Sequence, residues 1–147
     1  MRTAHGRILA VQITAFGKLL GASLYEQLVN VPNFLKDIPQ SLEEARPFWS
    51  SANPSNYFRI VAPLAQISAL ISFILGWRSR DWRPFLLGAF ILIVVADAIT
   101  FTFHYPRSAI LITQPLVENQ DLLHQTVSEW ALGKWVRIAL VAGAVVA

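Results

Sequence analysis

Tyr57–Trp77 reads YFRIVAPLAQISALISFILGW, Arg78–Arg83 reads RSRDWR, and Pro84–Phe103 reads PFLLGAFILIVVADAITFTF. Each apolar run is about twenty residues long, which is what an α-helix needs to cross a hydrocarbon core about 30 Å thick. Arg78, Arg80 and Arg83 crowd the short connection between them. A short Arg-rich loop between two spans belongs on the cytoplasmic side of a bilayer. One stretch thus predicts both a membrane-embedded helical fold and its orientation.

Working outward, two further spans emerge, so the expectation is an all-α bundle of four transmembrane helices in a single domain over residues 1–147. The spans are expected at about 7–29, 57–77, 84–104 and 127–147, with both termini cytoplasmic. Arg2 and Arg7 agree with that placement of the N-terminus. The connections at 30–56 and 105–126 then face outward, and neither has a basic excess. In the first, Ser41-Leu42-Glu43-Glu44 has capping-box spacing and predicts a short helix from about Leu42 to Pro47 or Trp49. Pro32, Pro39 and Pro54 are expected to break the rest into turns. Trp77, Trp82, Trp130 and Trp135 sit near span ends, as interfacial aromatics do. The expected location is a multi-pass protein of the bacterial inner (plasma) membrane.

Composition supports the class. Charged residues make up 14% of the 147 and hydrophobic ones 54%, whereas soluble domains carry about 25% charged residues. The net charge of +3 is accounted for by topology, and with no basic stripe or recognition helix, nucleic acid is not an expected partner. The absence of cysteine removes disulfides, thiolate ligands and cysteine nucleophiles. The first apolar stretch has the outline of a signal peptide, but Gln12 and Lys18 interrupt it, and it reads as a retained helix.

Ionisable residues within spans are expensive and usually face a bundle or a wet cavity. Gly17, Gly21 and Tyr25 share one stripe of the first helix, with Lys18 within about 60° of it. Its plain meaning is helix packing through the glycines. Asp97, Thr100 and His104 share another stripe, with Asp97 about 10 Å inward of His104. Trp130, Lys134 and Arg137 make a third. Depth counting puts Glu26, Asp97, His104, Lys134 and Arg137 in the outer half of the bilayer, where opposite charges should pair. Asp97–Arg137 is the first expected pair and Glu26–Lys134 the second. The inner half is expected to be dry, with little beyond Gln66, Ser68 and Ser72. An outward or lateral pocket lined by Tyr25, Glu26, Asp97, His104 and Arg137 follows. No metal site is expected. His104 and His124 could meet at one external site or hold a haem, but no spacing specifies either, His5 lies on the other side, and no cofactor motif is present.

The order Gly21-Ala22, Tyr25-Glu26, Val31-Pro32-Asn33, Pro39-x-Ser41-Leu42 and Trp135-x-Arg137 resembles the small four-helix membrane proteins grouped with the fungal anthrone oxygenases. Tyr25, Glu26, Asn33 and Arg137 match that pattern, while His104-Tyr105-Pro106 departs from it. The resemblance implies a four-span bundle and, for a few members, oxidation of an anthrone to a quinone. The leading expectation is therefore an oxidoreductase or oxygenase acting on a lipophilic aromatic small molecule. His104 or a cluster carboxylate would be the base, and Tyr25 and Arg137 would hold the oxyanion. The alternative is a non-catalytic accessory subunit or scaffold, partnered by a membrane protein or a second copy. A solute or proton carrier would need a path that the apolar inner half does not offer.

Overall fold

The computed structural model describes residues 2–115, 118 and 120–147; the side chains of residues 2–5, including Arg2 and His5, lie outside the described residues. Helices run in the order α1 (Arg2–Tyr25), α2 (Val31–Leu35), α3 (Gln40–Phe48), α4 (Pro54–Gly76), α5 (Arg83–Ile99), α6 (Tyr105–Thr113) and α7 (Gln120–Val146), and no strand occurs among the described residues. Among the described residues, three continuous helical stretches are long and apolar enough to cross a membrane: Gly6–Leu35, Pro54–Gly76 and Arg83–Thr113. α7 is long enough, but Asp121, Glu129, Lys134 and Arg137 lower its average hydropathy.

Two of these stretches outrun the expected spans because their prolines do not end them. α1 passes into α2 through a π-helical turn at Glu26–Asn30, and α5 passes into α6 through another at Thr100–His104. The Val31 N–H bonds the Glu26 carbonyl and the Tyr105 N–H bonds the Thr100 carbonyl, five residues back in each case. Pro32 and Pro106 follow at once. Proline has no N–H and its ring crowds the carbonyl four residues earlier; widening the preceding turn relieves that clash while the helix continues. Pro32 is thus a wedge inside a helix, contrary to the turn expected there. At about 1.5 Å per residue each stretch is some 45 Å long, more than a bilayer core requires. The surplus turns build a cap at one end of the bundle.

The short helix near Leu42 is present, but its capping differs from expectation. α3 begins at Gln40, just after a cis Ile38–Pro39 bond, and Ser41 lies inside it, donating to the Phe34 carbonyl at 2.7 Å. The capping box belongs instead to α4: Asn53 Oδ1 accepts from the Ser55 N–H at 2.9 Å, Asn56 Oδ1 accepts from the Asn53 N–H at 3.1 Å, and Pro54 takes the first helical position. Those groups satisfy donors that a helix start leaves free.

Two apolar clusters hold the molecule. The larger, along the bundle, joins Ala15, Phe16, Leu19, Phe58, Ala65, Ala69, Ala89, Ile93, Ala96, Val141 and Ala144. Its many alanines let helix backbones approach closely, as membrane helices do. The smaller fills the cap with Val31, Phe34, Ile38, Leu42, Leu111, Leu123, Val127 and Trp130. Trp130 is therefore a core residue, not the interfacial anchor expected. Arg46 ties the cap together. Its Nε and Nη2 reach the Leu111 carbonyl at 3.0 and 2.8 Å, and Nη2 also reaches the Gln114 carbonyl at 2.8 Å. These are the end carbonyls of α6, which lack helical partners. Arg46→Ala is expected to cost about 1.5–3 kcal/mol, as for hydrogen bonds to a charged group. Faster proteolysis within residues 36–53 would report the loosened cap, and an unchanged cleavage rate would discard this role.

Arg107 pairs with Glu129 at 2.6 Å and lies over the Phe103 ring at 3.5 Å. Gly17 and Gly21 do not pack within the bundle, since a Cβ at either would meet nothing within 4 Å.

Candidate functional site

A polar layer lies between the two apolar clusters, built by the two π turns and the facing stretch of α7. Along a regular helix, neighbouring residues point about 100° apart. The wider turn at Glu26–Asn30 buries both Glu26 and its neighbour Gln27. Glu26 meets Lys134 in a buried ion pair. The Lys134 ammonium also sits 3.7 Å above the Trp130 ring. With its amide oriented to satisfy both ends, Gln27 accepts from Trp135 Nε1 at 2.9 Å and donates to the Ala131 carbonyl at 3.3 Å. Both anchors run from the first span to α7.

The second π turn presents Thr100 and His104, both buried. His104 is 5% exposed, yet neither ring nitrogen has a hydrogen-bond partner. The ring faces the Gly133 backbone without reaching hydrogen-bond geometry. Gly133 permits that approach, because Phe103 of the π turn packs where a Cβ would stand. Arg137, 4% exposed, lies over the Phe58 ring at 4.3 Å, and its Nε is likewise buried without a partner. Buried polar groups are nearly always satisfied, so such exceptions call for a cause.

His104, Lys134, Glu26 and Arg137 all line one small cavity of about 70 Å³, roofed by Phe34, Leu42, Leu111 and Trp130 of the cap. That volume holds a few waters or the head of a ligand, not a whole polycyclic molecule. Asp97 lies about two turns deeper than His104 and accepts a hydrogen bond from Gln66. It is within electrostatic reach of Arg137 but makes no direct ion pair with it. The preferred pairing is thereby corrected: Glu26–Lys134 is the direct pair, and Asp97 is held across to α4. Gln66, assigned on sequence to a dry half, belongs to the polar layer; its distance from Asp97 in the chain hides the partnership. Ser72, expected in the inner half, is buried there with an unpartnered oxygen, and Gln12 of α1 adds a second.

Tyr25 does not join the cluster. At 61% exposure it follows the Gly17–Gly21 stripe outward, beside an open cleft between α1 and α4. It cannot hold an oxyanion in the cavity described. His124 is exposed on the cap while His104 is enclosed, so the two do not form a shared site. Among the described residues no three His, Asp or Glu side chains converge as a metal site would need.

No family model, no curated protein and no solved structure matches this chain. The site's own geometry must carry the functional argument.

Proposed function

We propose that the chain is a four-span membrane protein whose polar layer binds the acidic oxygen of a lipophilic aromatic molecule. α7 is the fourth span in this reading. Its Lys134 and Arg137 face the bundle at 4% exposure each, so its low average hydropathy does not describe the surface it offers to lipid. The Arg78–Arg83 loop and both termini are then cytoplasmic, and the cap faces outward. A bacterial inner membrane suits this topology.

One observation carries the ligand reading. His104 and Arg137 bring three unpartnered nitrogens to a buried layer around one cavity. A phenol or enol meeting them would supply the missing acceptor and donor together. His104 would take the proton, and Arg137 would stabilise the oxyanion in a low-dielectric site. The resemblance to the anthrone oxygenase group suggests the continuation: the enolate's activated carbon reacts with dioxygen, the peroxide anion takes back the proton from His104, and the hydroperoxide loses water with its neighbouring C–H to leave a quinone. Glu26–Lys134 would then position α1 against α7 and not react.

A hydroxyanthrone is the probe that tests this. In nanodiscs the full chain is expected to bind one molecule, with the bound form absorbing as its anion. His104→Ala should weaken binding about tenfold or more, since a hydrogen bond in a buried site is worth ~1–3 kcal/mol. Arg137→Met should remove the anion's absorbance. Equal binding in His104→Ala would remove the case for the site. The second reading, an accessory subunit, draws on the open Gly17–Gly21 face; a stoichiometric protein partner and an empty cavity in native mass spectrometry would favour it.

A further inference from the structure

Phe58, Thr100, Tyr105 and Arg137 line the small cavity and also a second one of about 340 Å³ between α4 and α5. The mouth of this cleft is framed by exposed Arg59, Pro63 and Phe101, and its floor by Asp97 and Gln66. It therefore opens sideways, on the face that α4 and α5 turn to lipid. Arg137 stands between the two spaces, with its Nε enclosed and unpartnered. Pro63 supplies no N–H to the Arg59 carbonyl, leaving a polar acceptor in the cleft wall.

The charges of the cleft do not balance. Arg59 and Arg137 are cationic and Asp97 is the one carboxylate lining it. Arg59 has no ion pair among the described residues. An uncompensated charge beside hydrocarbon is costly, and one monoanionic head on an apolar body would neutralise it. We propose that the cleft is a lateral portal: a monoanionic amphiphile enters from the bilayer, its head held first at Arg59 and then at Arg137. Its apolar body stays in the cleft, which explains how a cavity of about 70 Å³ could serve a larger molecule. Binding in the cleft stands on this geometry alone, whereas delivery to His104 rests on the function proposed above.

The test uses the full chain in nanodiscs of phosphatidylcholine and a diazirine-bearing palmitic acid as photolabel. Labelling is expected to map to residues 58–66 and 97–105. Excess palmitic acid should compete, and methyl palmitate, which lacks the charge, should not. Arg59→Gln is expected to lower labelling about tenfold, the scale of losing one charge-assisted contact; being exposed, it should leave folding intact. Ala62→Trp, which fills the cleft, should abolish labelling. Labels spread evenly over the lipid-facing helices, or competition by the methyl ester as strong as by the acid, would overturn the proposal and leave only annular lipid. A hydroxyanthrone bearing a carboxylate, whose charge the arginines take while its phenol keeps its proton for His104, supports the portal if it displaces the label, about tenfold less well from His104→Ala than from wild type. One that binds without displacing it overturns delivery, and the cleft is then a site for membrane carboxylates. Loss of the His104 dependence with cleft labelling intact would sink the inner site and spare the portal.

Discussion

Glu26→Leu alone, or Lys134→Met alone, is expected to destabilise the bundle by about 3–5 kcal/mol, whereas the two together should come close to wild type. Glu26 is 6% exposed and Lys134 4%, and each is the other's direct ionic partner. Removing one leaves a full charge between two apolar clusters without its ionic partner. Removing both takes away the charges as a neutral pair and leaves Asp97 and Arg137 to balance each other electrostatically. The Trp130 face beneath the ammonium adds a cation–π attraction of about 2 kcal/mol when desolvated, which is lost with Lys134 only. Lys134→Met should therefore be the worse of the single changes. Unfolding the four species in one detergent closes the cycle. A coupling energy near zero would mean that water reaches the pair, and that the polar layer is wetter than its burial implies.

The same pair shows how far sequence reasoning reaches. Depth along a helix follows from residue count, so Glu26 and Lys134 can be matched across the bilayer from sequence. Which side of the helix each faces is less secure, because a π turn changes the angular register and leaves no pattern of its own. Pro32 and Pro106 were the available signal, but proline ordinarily marks an end or a kink. Read that way, α2 and α6 dissolve into loops and the cap disappears. Tyr25 failed for a related reason: it shares a stripe with Gly17 and Gly21, and that stripe points out of the bundle. Ser41-x-x-Glu44 had the spacing of a cap without the position, while Asn53 and Asn56, which do cap, carry no acidic residue to draw attention. The apolar runs around Arg78–Arg83 were legible because length and composition alone identify them. Asp97–Gln66 was not, because a neutral partner leaves no trace in a balance of charges.

Gly133→Ala should be more damaging than the same change at Gly6, Gly17, Gly21, Gly88 or Gly143. A Cβ at position 133 would fall within 2.8 Å of Phe103 Cδ1 and closer still to Cε1. The ring has little freedom to retreat, since Arg107 covers it at 3.5 Å and is itself held by Glu129. Overpacking of this kind costs about 1–3 kcal/mol. The displaced residue neighbours His104 on the same π turn, so the loss should appear twice: in stability, and in weaker hydroxyanthrone binding. Phe103→Leu in the Gly133→Ala background is expected to restore both, which a defect in α7 alone would not allow. Gly17→Ala and Gly21→Ala supply the contrast. Nothing lies within 4 Å of either Cβ, and the helix-propensity gain of up to about 1 kcal/mol should make them neutral or stabilising in the isolated chain. Should Gly133→Ala unfold no more readily than these two, the close approach of the second π turn to α7 would be wrong, and with it the placement of His104 in the cavity.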